Sequence, residues 1–129
     1  MRGILLALIL ALPAYAQQGT VPPTAPPTYQ SQLLRLAEIL GSLHAIRSVC
    51  DPQADARWRE RMMELIRLER PSNEQRNTLI GLFNSGFEAT GARYKTCSDA
   101  ARADAATLAR AGETISRNLS AAIDKATHH

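Results

Sequence analysis

The sequence predicts an all-α protein, a small antiparallel bundle of three to four helices tied by one disulfide. Three observations carry that expectation. Downstream of Tyr29 the apolar residues recur with the 3.6-residue helical period, and no stretch alternates apolar with polar residues as a half-buried strand would. The period is interrupted at Pro52, at Pro71 and at Ser98-Asp99, which divides the pattern into four segments of helical length. The two cysteines, Cys50 and Cys97, close the first and third of those segments.

The first segment, about Ser31 to Cys50, places Leu33, Leu36, Ala37, Ile39, Leu40, Leu43, Ile46 and Cys50 on one face, with Arg35, Glu38 and Ser42 opposite. Asp51-Pro52 ends it, because a residue that precedes proline is pushed out of the α conformation. The second, about Ala54 to Arg70, has Asp55 as its candidate cap and an inner stripe of Trp58, Met62, Leu65 and Ile66, and Pro71 stops it. The third opens on a capping box, with Ser72 as cap and Gln75 reaching back to it. Leu79, Ile80, Phe83, Phe87, Tyr94 and Cys97 then share a face up to about Cys97. Gly81, Gly86 and Gly91 each cost this helix about 1 kcal/mol relative to alanine, and mark either close packing or a bend.

The fourth segment, about Asp99 to Ala126, carries the clearest stripe: Ala101, Ala105, Leu108, Gly112, Ile115, Leu119, Ala122 and Ile123, with Arg102, Arg110, Glu113, Arg117 and Asp124 opposite. Ala101, Ala105 and Gly112 make its first half narrow enough for a neighbouring backbone to come close. Only Ser98-Asp99 separates segments three and four, and a break there is the favoured reading over one long bent helix.

At 129 residues, 45% apolar and 21% charged, the chain fits one small domain and excludes a multidomain enzyme. Residues 1–16 have the layout of a secretory signal: Arg2, then an apolar run from Ile4 to Leu12, then the small-x-small site Ala14-Tyr15-Ala16. The apolar run is far short of the roughly 20 residues that span a bilayer, so cleavage after Ala16 is expected and no membrane span in the mature protein. The short signal points to a bacterial periplasm. Residues 17–30, with Pro22, Pro23, Pro26 and Pro27 among Thr and Gln, read as an extended spacer, which leaves 31–127 as the helical domain. Fifteen Lys and Arg against twelve Asp and Glu give +3, and loss of Arg2 with the signal gives 14 − 12 = +2. That charge is too small to imply a nucleic-acid partner.

In an oxidising compartment an even cysteine pair in a small domain is expected to form a disulfide. A redox-active pair wants C-x-x-C spacing, and a zinc site wants more ligands than this chain offers. If segments one, two and three run up, down and up, Cys50 and Cys97 fall at the same end of the parallel helices one and three, in bridging geometry.

Two groups of residues break the apolar pattern. His44 and Arg47 sit in or beside the stripe of segment one, near Cys50. Either they are polar groups satisfied at an open bundle mouth, or they form with Trp58 and Tyr94 a docking or ligand patch at the disulfide end. At the opposite end Glu69 and Arg76 flank the Pro71-Ser72 turn and are expected to pair. Glu69 as an acid or base would need a second convergent carboxyl group, and the sequence places none there. G-x-S-x-G, H-E-x-x-H and P-loop motifs are absent, so no catalytic residue, metal or cofactor is expected and the reading is not an enzyme. His128-His129 reads as a tail.

The chain resembles a family of small exported alphaproteobacterial proteins classed as a domain of unknown function. The resemblance covers about Leu34 to Ile115. It is carried by Leu40-Gly41-x-Leu43-His44-x-x-Arg47-x-x-Cys50, Trp58-Arg59-x-x-Met62, Glu69, Arg76, Phe83-Asn84-x-Gly86-Phe87 and Tyr94-x-x-Cys97. It implies export, the cysteine pair and the odd polar positions, and it transfers no reaction. The function expected is that of a non-enzymatic periplasmic interaction or accessory module in cell-envelope maintenance, docking an envelope protein or polymer through its disulfide end. The alternative is a periplasmic stress chaperone or small-ligand binder, since Ser72-Asn73-Glu74-Gln75-Arg76 resembles the helix-start motif of such chaperones.

Overall fold

The computed structural model describes residues 28–127 apart from Asp55. It has four helices, α1 (Tyr29–Cys50), α2 (Ala56–Glu69), α3 (Asn73–Arg93) and α4 (Asp99–Thr127), with a 3-10 turn over Pro52–Ala54 between the first two. The expected signal peptide (1–16), most of the spacer, the cap at Asp55 and the tail His128-His129 lie outside the described residues.

Helix α1 begins two residues before the predicted start because Thr28 is a good cap. Its hydroxyl oxygen accepts from the Ser31 amide at 3.0 Å, and the Ser31 hydroxyl donates to the Thr28 carbonyl at 3.0 Å. The spacer therefore gives way to helix at Tyr29 rather than after residue 30. The capping box of α3 forms as expected: Gln75 N–H donates to Ser72 Oγ at 3.2 Å and Ser72 N–H to Gln75 Oε1 at 3.1 Å. Arg70, at φ 45°, makes the left-handed turn that ends α2 and lets the chain reverse before Pro71.

Helices three and four are separate, and the third ends at Arg93, short of Cys97. Tyr94 is its C-cap, donating its amide to the Thr90 carbonyl at 2.9 Å while its phenol donates to Asp104 Oδ2 of α4 at 3.1 Å. Ser98 then caps α4 by accepting from the Ala101 amide at 3.1 Å. Tyr94 and Cys97, expected on a helical face, thus belong to the connection instead.

The disulfide joins Cys50 to Cys97 with the Cα atoms 4.8 Å apart, which ties the end of α1 to the loop after α3. At the other end Tyr29 of α1 meets Glu69 of α2, and Asn118 of α4 donates to Gln32 of α1. The helices accordingly run up, down, up and down.

They are not four equal corners of a bundle. α2, α3 and α4 each pack chiefly on α1, which is the central helix. Its predicted one-sided stripe is corrected by this arrangement: α1 is buried on both sides, and Ser42, expected on the solvent face, is 8% exposed. The cause is α3. A Cβ on Gly41 would overlap the carbonyl oxygen of Phe83, and one on Gly86 would overlap that of Glu38, so the two backbones touch at a pair of glycines. Ser42 Oγ donates to the Gly86 carbonyl at 3.4 Å across the same contact. Leu33, Leu36, Leu40, Met62, Leu79, Phe83 and Leu119 form the core around this axis.

Candidate functional site

On the side of α1 away from α3, helices α2 and α4 flank the central helix without closing over it. They leave a trough of about 890 Å³. Its floor is Leu36, Ile39, Leu40 and Leu43 of α1; α2 contributes Trp58, Leu65 and Leu68 to one wall, and α4 contributes Ala109, Gly112, Leu119 and Ile123 to the other. The same wall of α4 carries Ala105, Ala106 and Ala109 where it turns toward the disulfide, and short side chains there leave a second lobe of about 480 Å³. Leu43, Trp58 and Ala109 line both lobes, so the two adjoin at these residues. Leu68 (62% exposed) and Ile123 (48% exposed) offer apolar surface at its mouth.

The ends of the cleft differ in chemistry. At the disulfide end lie Arg47, Asp51 and Arg102. Arg47 Nη2 stands 3.3 Å from Asp51 Oδ2, while its Nε is buried with no hydrogen-bond partner among the described residues. At the far end lie Arg61, Glu64, Glu69 and Glu113. There the Tyr29 hydroxyl donates to Glu69 Oε1 at 2.6 Å. Burial, with the hydrogen bond to the carboxylate and its negative charge acting in the same direction, pushes the Tyr29 phenol up to about 12.

This shift has a definite sign. Folding raises the phenol's affinity for its proton, so the stabilisation is complete below pH 10, the unfolded value, and disappears as pH climbs through about 12. A spectrophotometric titration should show Tyr29 and Tyr94 both ionising above the ordinary tyrosine value, and Tyr29→Phe should abolish the step near 12 and cost about 1 kcal/mol at neutral pH. A Tyr29→Phe protein whose alkaline titration matches the parent would show that the contact with Glu69 does not hold the phenol.

The four residues expected to form a patch at the disulfide end are not brought together. Arg47 and Trp58 do meet, in the upper lobe beside Cys50. His44 turns to the α3 side, its ring 5.8 Å from that of Phe83 and 5.1 Å from that of Phe87. Tyr94 binds Asp104, whose Oδ2 also accepts from Arg93 at 3.1 Å, with the Arg93 guanidinium 5.1 Å from the Tyr94 ring centre. His44 and Arg47 are only about 60° apart around α1, but the helix is enclosed on both sides, so that angle sends them to different neighbours.

The expected Glu69–Arg76 pair is also replaced. Arg76 is exposed on the first turn of α3 and makes no ion pair among the described residues, while Glu69 takes its donor from Tyr29 on α1. Sequence reasoning missed Tyr29 because it had been assigned to the spacer; the Thr28 cap just before it was the available signal. It also missed Gly41 as a contact position, although Gly41 stands inside the Leu40-Gly41-x-Leu43 motif. No group of three or more His, Cys, Asp or Glu among the described residues could hold a metal ion, and no described helix is long and apolar enough to cross a membrane.

Fold and cleft together define a disulfide-tied helical scaffold: three helices arranged around a central one, with an apolar trough open to solvent. The chain belongs to the family described as protein of unknown function (DUF2385), which matches residues 28–123. That stretch opens at the Thr28 cap and closes at Ile123, and it contains every residue that lines the cleft. No curated protein and no solved structure matches the chain.

Proposed function

We propose that this protein is an exported, non-enzymatic binding module of the bacterial periplasm, serving as an accessory to the cell envelope, and that its working surface is the trough between α2 and α4. The observation that carries the reading is the trough itself: an apolar-lined space between α2 and α4, with the buried Leu36, Ile39, Leu40 and Leu43 of the central helix beneath it. The signal-like residues 1–16 and the disulfide support export. The non-enzymatic part is supported by Glu69, the carboxylate weighed as an acid or base, whose Oε1 is engaged by the Tyr29 phenol. Of the two classes of function expected, the trough favours ligand binding over docking through the tip. The tip residues His44 and Tyr94 face elsewhere, and Ser72 and Gln75 of the chaperone-like run are used in the capping box.

The neutral probe N-phenyl-1-naphthylamine tests this reading. Trp58 is the only tryptophan and lines both lobes, so the bound probe should brighten and accept energy from it. Ala109→Phe, which fills the junction of the lobes, should weaken the response about tenfold or more, and Ser116→Phe in the main lobe should weaken it as well. Absence of any enhancement, or equal enhancement in folded forms of both variants, would remove the trough as a binding surface.

A further inference from the structure

We infer that the trough takes a single-chain anionic lipid, a fatty-acid carboxylate, with its head group at the disulfide end and its chain along α1. The inference rests on the trough being the binding surface proposed above, and adds its ligand chemistry and orientation. Three observations carry it. The first is shape: from Arg47 to Leu36 the floor rises through eleven residues of α1, about 17 Å, which is close to half of a bilayer's ~30 Å hydrocarbon thickness and so to the reach of one acyl chain. The floor over that distance is Leu43, Leu40, Ile39 and Leu36, with no charged side chain among them.

The second is the sorting of charge along the cleft. Two arginines against one aspartate line the disulfide end, and one arginine against three glutamates lines the other. A carboxylate is attracted at the first and repelled at the second, so an anionic amphiphile binds with its head group at the disulfide end, and a cationic one only in the reverse direction. The third is the Arg47 guanidinium at that same end, part of a side chain 35% exposed, with its Nη2 3.3 Å from Asp51 Oδ2. A carboxylate there takes a charge-assisted hydrogen bond from an Nη of Arg47, with the exposed Arg102 guanidinium, itself 3.3 Å from Asp99 Oδ1, as the second cation.

The test is displacement of N-phenyl-1-naphthylamine from the oxidised chain by three twelve-carbon amphiphiles below their micellar concentrations: laurate, dodecyl maltoside and dodecylamine. Laurate is expected to displace the probe at about tenfold lower concentration than dodecyl maltoside, and dodecylamine, bound in the reverse direction, should not be weakened by loss of either arginine. Arg47→Gln should weaken laurate about tenfold while leaving dodecyl maltoside unchanged. Arg102→Glu, a change at an exposed side chain that leaves the core untouched, should remove the preference for the anion, whereas Glu113→Gln should preserve it. Equal displacement by laurate and dodecyl maltoside, or a preference for laurate that survives Arg102→Glu and Arg47→Gln together, overturns the inference while the trough stands as a binding surface. Failure of the probe itself to bind overturns both.

Discussion

Replacing both cysteines, Cys50→Ala with Cys97→Ala, is expected to lower the unfolding free energy by about 4 kcal/mol. The bridge spans a sequence separation of 47 and encloses all of α2 and α3. Its main effect is on the unfolded chain, whose freedom the closed loop restricts, and a loss of that size is a large part of the ~5 to 15 kcal/mol typical of a whole domain. A local effect adds to it. Residues 94–98 have no helix of their own, and without the bridge they are held at their two ends, by Tyr94 on Thr90 and Asp104 and by Ser98 at the start of α4. Urea unfolding of the double variant beside the oxidised parent measures the loss, and the parent under a strong reductant should reproduce it. A loss below about 1 kcal/mol would show that packing of α1 on α3 already holds the loop ends together in the denatured ensemble. Because Cys50 lines the upper lobe of the trough, the reduced chain should also bind the naphthylamine probe more weakly.

The second large effect is a contrast within one substitution. Gly41→Ala and Gly86→Ala should each destabilise by about 2 kcal/mol: overpacking against a backbone carbonyl costs about 3 kcal/mol, and the helix propensity of alanine returns about 1. The neighbour in each case is main chain, which has no rotamer to move away, so relief requires α1 and α3 to separate along their whole contact. Gly81→Ala and Gly91→Ala meet nothing within 4 Å and should stabilise by up to about 1 kcal/mol each. Thermal or urea unfolding of the four single variants gives the signs directly. Stabilisation by Gly41→Ala would mean that the two helices do not touch there.

The elements of this fold were legible because each rests on local chemistry. Pro52 and Pro71 ended helices where proline must, Ser72 and Gln75 formed the box that their spacing describes, and Cys50 and Cys97 fell together once the helices alternated in direction. The end of α3 was misplaced at Cys97 because Tyr94 fits a helical face as well as it fits a cap. What distinguishes the two is Asp104, a residue of the next helix. The site was less legible. Arg47 and Trp58 were singled out and do share a lobe, but His44 and Tyr94 were grouped with them on axial height alone, which says nothing about the direction each side chain takes. Glu69 was found, with Arg76 as its partner in place of Tyr29.

Periodicity, caps and cysteine count are properties of short stretches, and from these alone followed the helical class, the four elements, the up-down order and the disulfide. Contacts between stretches far apart in the chain decided the rest: that α1 lies at the centre, that Gly41 and Gly86 are contact points while Gly81 and Gly91 are open, and that α2 and α4 leave a trough with a basic end and an acidic one. The physical reason is that an apolar stripe specifies burial without naming its partner. On the central helix every face is covered or flanked by some other element, so the difference between a packed face and an open one lies in the side chains of its neighbours.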